Sequence, residues 1–143
     1  MYRGRAGFFH LTVENLNCFR TAVNCYAYLV RAEILPERRE IALQEVEFKW
    51  RGVMFPNVII PPSRTREFDG LLVFHDRPHE AITGALTDSP KHRHILVQGK
   101  YVLTFAVRSE NFPETKKQFY LKLGQHLRDL VFEEMSSADV PHQ

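Results

Sequence analysis

Apolar side chains recur at every second position along most of this chain. Phe9, Leu11 and Val13 alternate with His10, Thr12 and Glu14, the period of a strand that buries one face. Val46, Phe48 and Trp50 alternate in the same way with Glu45, Glu47 and Lys49. Tyr101, Leu103, Phe105 and Val107 alternate with Val102, Thr104, Ala106 and Arg108, and Phe119, Leu121 and Leu123 form an inward stripe over Lys117–Leu123. Between Thr21 and Ile34, Cys25, Ala27 and Leu29 point one way and Tyr26, Tyr28 and Val30 the other. Both of those faces are apolar, which predicts a central strand. Thr21, Val23, Tyr26, Tyr28 and Val30 are weak helix formers, which counts against a helix there.

Turn chemistry separates these runs. Asn15-Leu16-Asn17 reads as a turn, because asparagine tolerates left-handed backbone and bonds its own chain. Pro36-Glu37-Arg38-Arg39-Glu40 is a charged turn, and Gln98-Gly99-Lys100 predicts a tight one. Val58-Ile59-Ile60 reads as a short edge strand before Pro61-Pro62, and residues 66–75 as another strand with Phe68, Leu72 and Phe74 on one face. Asp76–His92 reads as a long loop. Gln125–Met135 predicts a short helix with Leu127, Leu130 and Val131 on one face, and Ser136–Gln143 a disordered tail. The sum is an all-β, two-sheet sandwich of about seven or eight strands over residues 1–124, with the helix and tail over 125–143. Periodicity does not separate a sandwich from a barrel.

Composition changes this picture little. At 143 residues, with 44% hydrophobic and 25% charged positions, the chain has the size and balance of one ordinary globular domain. Eleven phenylalanines favour strands, since aromatic rings suit a pleated, half-buried surface. The net charge is +2 and neither half is strongly basic. The short basic clusters Arg38-Arg39, Arg64/Arg66 and Lys116-Lys117 have acidic neighbours and read as solvated surface, so no strong nucleic-acid signal appears. No apolar run approaches the ~18 residues of a membrane helix. A cytoplasmic location is the default expectation, with a membrane-anchored parent protein the other. Cys18 and Cys25 form no C-x-x-C pair; Cys25 reads as a small buried hydrophobe.

The stretch His10-Leu11-Thr12-Val13-Glu14-Asn15, followed by Thr21-Ala22-Val23-Asn24-Cys25, resembles the opening two strands of prokaryotic immunoglobulin-like sandwiches of the cell-adhesion-related (CARDB-like) type. The Trp50 strand, Ile60-Pro61-Pro62 and the hairpin from Gly99 to Leu123 are similar to the later part of such domains. The likeness covers most of residues 8–123. It implies an immunoglobulin-like fold and a role in binding, spacing or display. It carries over no catalytic residue.

Candidate chemistry is sparse. No G-x-S-x-G, G-x-x-x-x-G-K-[ST] or G-x-G-x-x-G motif occurs. Glu45/Glu47 and Glu133-Glu134 lie on charged faces. Histidine is the one suggestive element: His75 and His79 flank the start of the long loop, and His92-x-His94 closes it. Alternation puts His92 and His94 on one face, and three imidazoles can ligate zinc or another divalent metal, so the alternative expectation is a metal-binding protein or metal-dependent enzyme built on His75, His79, His92 and His94. The leading expectation is a non-enzymatic binding or scaffolding module without a cofactor, engaging a protein partner or a second copy of itself. A sandwich edge accepts a partner strand through main-chain hydrogen bonds; the Val58-Ile59-Ile60 segment and the first strand are the expected edges, and the Leu127/Leu130/Val131 face an expected self-association surface.

Overall fold

The computed structural model describes residues 6–42, 45–53, 57–74, 76–84 and 93–136. Among them the chain forms β1 (Ala6–Glu14), β2 (Ala22–Ile34), β3 (Arg39–Glu40), β4 (Val46–Glu47), β5 (Val58–Ile60), β6 (Thr65–Phe74), β7 (Glu80–Gly84), β8 (Arg93–Val97), β9 (Gly99–Arg108), β10 (Thr115–Leu123) and β11 (Val131–Met135). Every pairing between these strands is antiparallel. A four-stranded sheet runs β1-β6-β7-β8, and a seven-stranded sheet runs β11-β10-β9-β2-β3, with β4 and β5 also on β2. The all-β, two-sheet sandwich expected from the alternation is the fold adopted.

Strand β2 organises the larger sheet. One of its edges pairs with β9 from Tyr26↔Arg108 to Ile34↔Tyr101. Its other edge takes β5, β4 and β3 in turn, at Cys25↔Val58, Tyr28↔Glu47 and Glu33↔Glu40. The Val46–Trp50 run then changes sheets. The Phe48 amide donates to the Ala27 carbonyl of β2, whereas Trp50 bridges to Phe68 of β6 and the Arg51 amide donates to the Glu67 carbonyl. Its alternation survives because Val46, Phe48 and Trp50 all point between the layers, each 3% exposed or less.

Two β-bulges keep polar and apolar positions in phase with the core. In β2, Leu29 faces Phe105 and Arg31 faces Thr104, so Val30 is the extra residue. The inward stripe Cys25, Ala27, Leu29 therefore resumes at Ala32 rather than at Arg31, which stays in solvent. In β6, Gly70 is the extra residue between partners of Phe9 and His10. A Cβ there would lie 2.1 Å from the Leu11 Cδ1 atom, so glycine lets β1 and its Leu11 close over the bulge.

Aromatic rings bridge the layers. Trp50 meets Phe68 edge-on at 5.5 Å. Phe105 lies 5.6 Å from Phe48, 6.1 Å from Phe68, 5.4 Å from Phe119 and 6.3 Å from Phe132. Phe132 stacks on Phe119 at 5.2 Å and meets Phe9 at 5.8 Å. The Trp50 indole N–H donates to the Cys25 carbonyl at 3.1 Å, so the buried ring leaves no donor unpaired. A smaller cluster of Leu35, Val102, Tyr120 and Met135 covers the other face of β9 and β10.

Three expectations are corrected. The segment 125–135 is not a helix: a single 3-10 turn, Leu127–Asp129, leads into β11, which pairs with β10 from Lys122↔Val131 to Gln118↔Met135. Phe132 and Leu130 join the main core and Val131 the smaller cluster, so tertiary burial outweighs the local helical spacing. The proposed Leu127/Leu130/Val131 surface therefore does not exist as one face. The stretch 76–92 contains β7, which pairs with β8; residues 85–92 lie outside the described set. Finally, Phe68, Leu72 and Phe74 do not share one face, because the bulge at Gly70 puts Leu71 and Val73 with Phe68 in the main core; Gln98-Gly99 turns the chain from one sheet into the other. Residues 137–143, expected to be a disordered tail, also lie outside the described residues.

Arg108 fastens the β4 side of the larger sheet. Its two terminal nitrogens donate to the two carboxylate oxygens of Glu45 at 2.9 and 2.8 Å, its Nε donates to Glu114, and its guanidinium lies 4.7 Å over the Tyr28 ring. The hydrogen bonds from Arg108 hold both carboxyls below the ordinary glutamate value of 4.5. The groups are well exposed, so solvent screening keeps the gain small.

Two predictions follow from this packing. Phe105→Ala removes the ring that four others touch and lowers unfolding free energy by about 3–5 kcal/mol in urea titrations. Carboxyls depressed by a partner stabilise the fold above their ordinary value and lose that contribution as pH falls through the lowered one. The Arg108 contribution is therefore full above about pH 4.5 and fades below it. An Arg108→Gln variant melts lower than the parent at neutral pH, and the gap narrows as the pH falls below about 4.5.

Candidate interaction surfaces

One end of the sandwich is built around asparagine side chains. Asn15, buried where β1 ends, donates from Nδ2 to the Arg20 carbonyl at 2.8 Å and to the Ile60 carbonyl at 2.9 Å, and its Oδ1 accepts from the Asn17 amide. Asn17 Oδ1 accepts from the Phe19 and Arg20 amides, both at 2.8 Å. The Asn15 backbone exchanges hydrogen bonds with Ser63 and Arg64. Asn111 repeats the device across the opening: it accepts from the Val23 amide and donates to the Thr21 carbonyl. Side-chain amides thus supply the partners that a sheet ladder would otherwise give the loop backbone.

The loop so fixed displays apolar side chains outward. Phe19 is 93% exposed and Leu16 81%. Beside them a cleft of about 570 Å³ opens between the sheets, lined by Val13, Ala22, Cys25, Ile60, Val107 and Phe112 among others. Arg20 donates to the Asn111 carbonyl and lies 4.8 Å over the Phe112 ring.

The sheet edges differ in how they meet solvent. β1 shows His10, Thr12 and Glu14 outward, with His10 paired to Asp69. β11 shows Glu133 and Glu134, and β3 shows Arg39 and Glu40. Charged side chains of this kind discourage strand addition. β5 is only three residues long and exposes Ile59. β8 is the exception among the described edges. Leu96 is buried, while Ile95 and Val97 face outward at 54% and 58% exposure. Next to β8 lies a second cleft of about 480 Å³, lined by Ile34, Ile41, Leu96, Val97 and Tyr101 among others. The Tyr101 hydroxyl donates to the Val97 carbonyl at 2.6 Å and fixes this end of the strand.

The histidines proposed as metal ligands fall in different places. His75 and His92 lie outside the described residues, as does the side chain of His94. The backbone of His94 pairs with Thr83, and Glu80 pairs with Val97. His79 therefore belongs to the opposite end of the β7–β8 hairpin from His94, about 13 Å away along the strands. His79 is exposed and sits 3.8 Å from the Glu80 carboxylate. Among the described residues no three His, Cys, Asp or Glu side chains converge on a metal position.

Both cysteines are free; Cys18 is exposed on the loop and Cys25 is buried. Burial pushes the Cys25 thiol above its ordinary value. Sequence reasoning passed over Phe19, Leu16, Ile95 and Val97. The available signal was an aromatic residue inside a turn at Phe19, and an apolar run at Ile95–Val97 without alternating polar residues. Among the described residues no helix is long and apolar enough to cross a membrane. No family model, curated protein or solved structure matches the chain.

Thiol labelling checks this end of the molecule. A maleimide modifies Cys18 of the folded protein rapidly, whereas Cys25 reacts only as the protein unfolds. Asn15→Ala, which leaves the Ile60 and Arg20 carbonyls without their donor, lowers unfolding free energy by about 1–3 kcal/mol.

Proposed function

We propose that this protein is a non-enzymatic interaction module that docks a partner chain by accepting an added strand on the edge of β8 that no other described strand pairs. The observation that carries the reading is the outward face of that edge. Ile95 and Val97 stand in water where the other long edges carry charge. An incoming strand would gain main-chain hydrogen bonds along β8 and cover these two side chains. Its inward side chains would meet the cleft beside Ile34, Ile41 and Tyr101, which gives a basis for selecting sequence. The immunoglobulin-like likeness agrees, because such domains bind, space or display. No specific observation favours a metal-dependent activity over this reading.

A displayed library of extended heptapeptides, panned on the immobilised protein, tests it. The expected winners alternate apolar and polar residues, and Ile95→Lys/Val97→Lys weakens their binding at least about tenfold, or ~1.4 kcal/mol, with an unchanged melting temperature. Sedimentation velocity on the free protein shows whether a second copy uses the same edge, in which case the double lysine variant is monomeric. Peptides that bind the lysine variant equally well, or a library that yields no binder from a strictly monomeric protein, overturn the reading.

A further inference from the structure

The β1–β2 loop end is remote in kind from the β8 edge: it presents side chains and not open main chain. Phe19 and Leu16 are the two most exposed large apolar residues described, at 93% and 81%. Their exposure is imposed by the fold. To cover Phe19 the loop would have to release the Asn17 bonds to the Phe19 and Arg20 amides, and the Asn15 bond to the Arg20 carbonyl. A rigid loop that holds a phenylalanine in water stores a hydrophobic contact for another surface.

The charge around the loop says what that surface is. Arg64 lies beside Asn15 through their backbones, and Arg66 faces Val13 two pairs further along the β1–β6 ladder. The Arg66 side chain donates to the Ile59 carbonyl, and the Arg20 side chain to the Asn111 carbonyl. None of these three arginines has a carboxylate partner among the described residues. Arg31, Arg38, Arg51 and Arg108 each have one, while Arg39, Arg77 and Arg128, elsewhere on the surface, also have none among the described residues. The nearby acids are Glu14, exposed at the end of β1, and Glu110, which Asn24 engages at 2.7 Å. The end thus combines protruding apolar tips with guanidinium groups that have no carboxylate partner among the described residues. Apolar tips enter the headgroup–acyl boundary while flanking cations meet lipid phosphates and carboxylates.

We propose that this end of the sandwich is a docking surface for an anionic lipid bilayer, with Leu16 and Phe19 inserted and Arg20, Arg64 and Arg66 on the headgroups. The proposal is independent of strand addition at β8, and together the two surfaces would hold a bound chain at a membrane.

Co-flotation with vesicles tests it, using phosphatidylcholine alone and phosphatidylcholine mixed with phosphatidylserine. The full chain is expected to float with the mixed vesicles, to be released by salt, and to ignore the neutral ones. Leu16→Ser/Phe19→Ser weakens binding at least about tenfold, and Arg64→Gln about fivefold, while melting temperatures stay unchanged. A Phe19→Trp reporter shifts its emission to the blue on adding the mixed vesicles. Three outcomes overturn the proposal: no binding to the mixed vesicles, equal binding to neutral ones, or binding that survives the double serine variant. A concentration-dependent dimer that the double serine variant abolishes, without vesicle binding, identifies a second copy as the occupant and overturns it too. None of these outcomes bears on peptide capture at β8, which the Ile95 and Val97 variants report separately.

Discussion

Phe105 sits where the two sheets must meet, and its ring touches Phe48, Phe68, Phe119 and Phe132. Those four come from the β4 crossing, β6, β10 and β11. A sandwich of antiparallel sheets holds together only if inward side chains from both layers interlock at near-crystalline density. Here one large flat ring satisfies that requirement for four elements at once. The bulges at Val30 and Gly70 follow from it. One keeps Arg31 out of the layer that Phe105 fills, and the other gives Leu11 room to close beside the same ring.

A core so interlocked frees the periphery to serve other ends. The open end between β1 and β2 is held by asparagine amides rather than by packing, so its apolar side chains remain outside. The β8 edge is held by Tyr101 and by its buried Leu96, which leaves Ile95 and Val97 facing water. Both surfaces are small and tied down by hydrogen bonds. A rigid surface costs little to order on binding, so modest apolar area there converts more fully into affinity.

The arginines separate structure from display. Arg108, with two carboxylates and a tyrosine ring, fastens β4 and the β9–β10 turn. Arg38 reaches back to Glu33, a carboxylate almost buried at the end of β2. The guanidinium groups of Arg20, Arg64 and Arg66 make no ion pair among the described residues. Read only as clusters along the chain, Arg38-Arg39 and Arg64/Arg66 look alike; in three dimensions Arg38 meets a carboxylate and, among the described residues, Arg64 and Arg66 do not.

By itself the sequence determined the sheet class and most of the inward stripes, that of Trp50 included, because a two-residue period is a local property that burial merely selects. Cys25, Ala27, Leu29, Val46, Phe48, Trp50, Leu121 and Leu123 are all buried as their alternation requires. Only the tertiary structure decided which strands share a sheet. Gln98-Gly99 has the chemistry of a hairpin turn yet joins two layers, and the Val46–Trp50 run is a crossing whose side chains look like those of an ordinary strand. The segment 125–135 became β11 because Phe132 gained Phe9, Phe105 and Phe119 as neighbours, a long-range gain that no local pattern records. The same holds for the surfaces proposed here: exposure of Phe19 and Ile95 depends on what fails to cover them, and that is settled by distant parts of the chain.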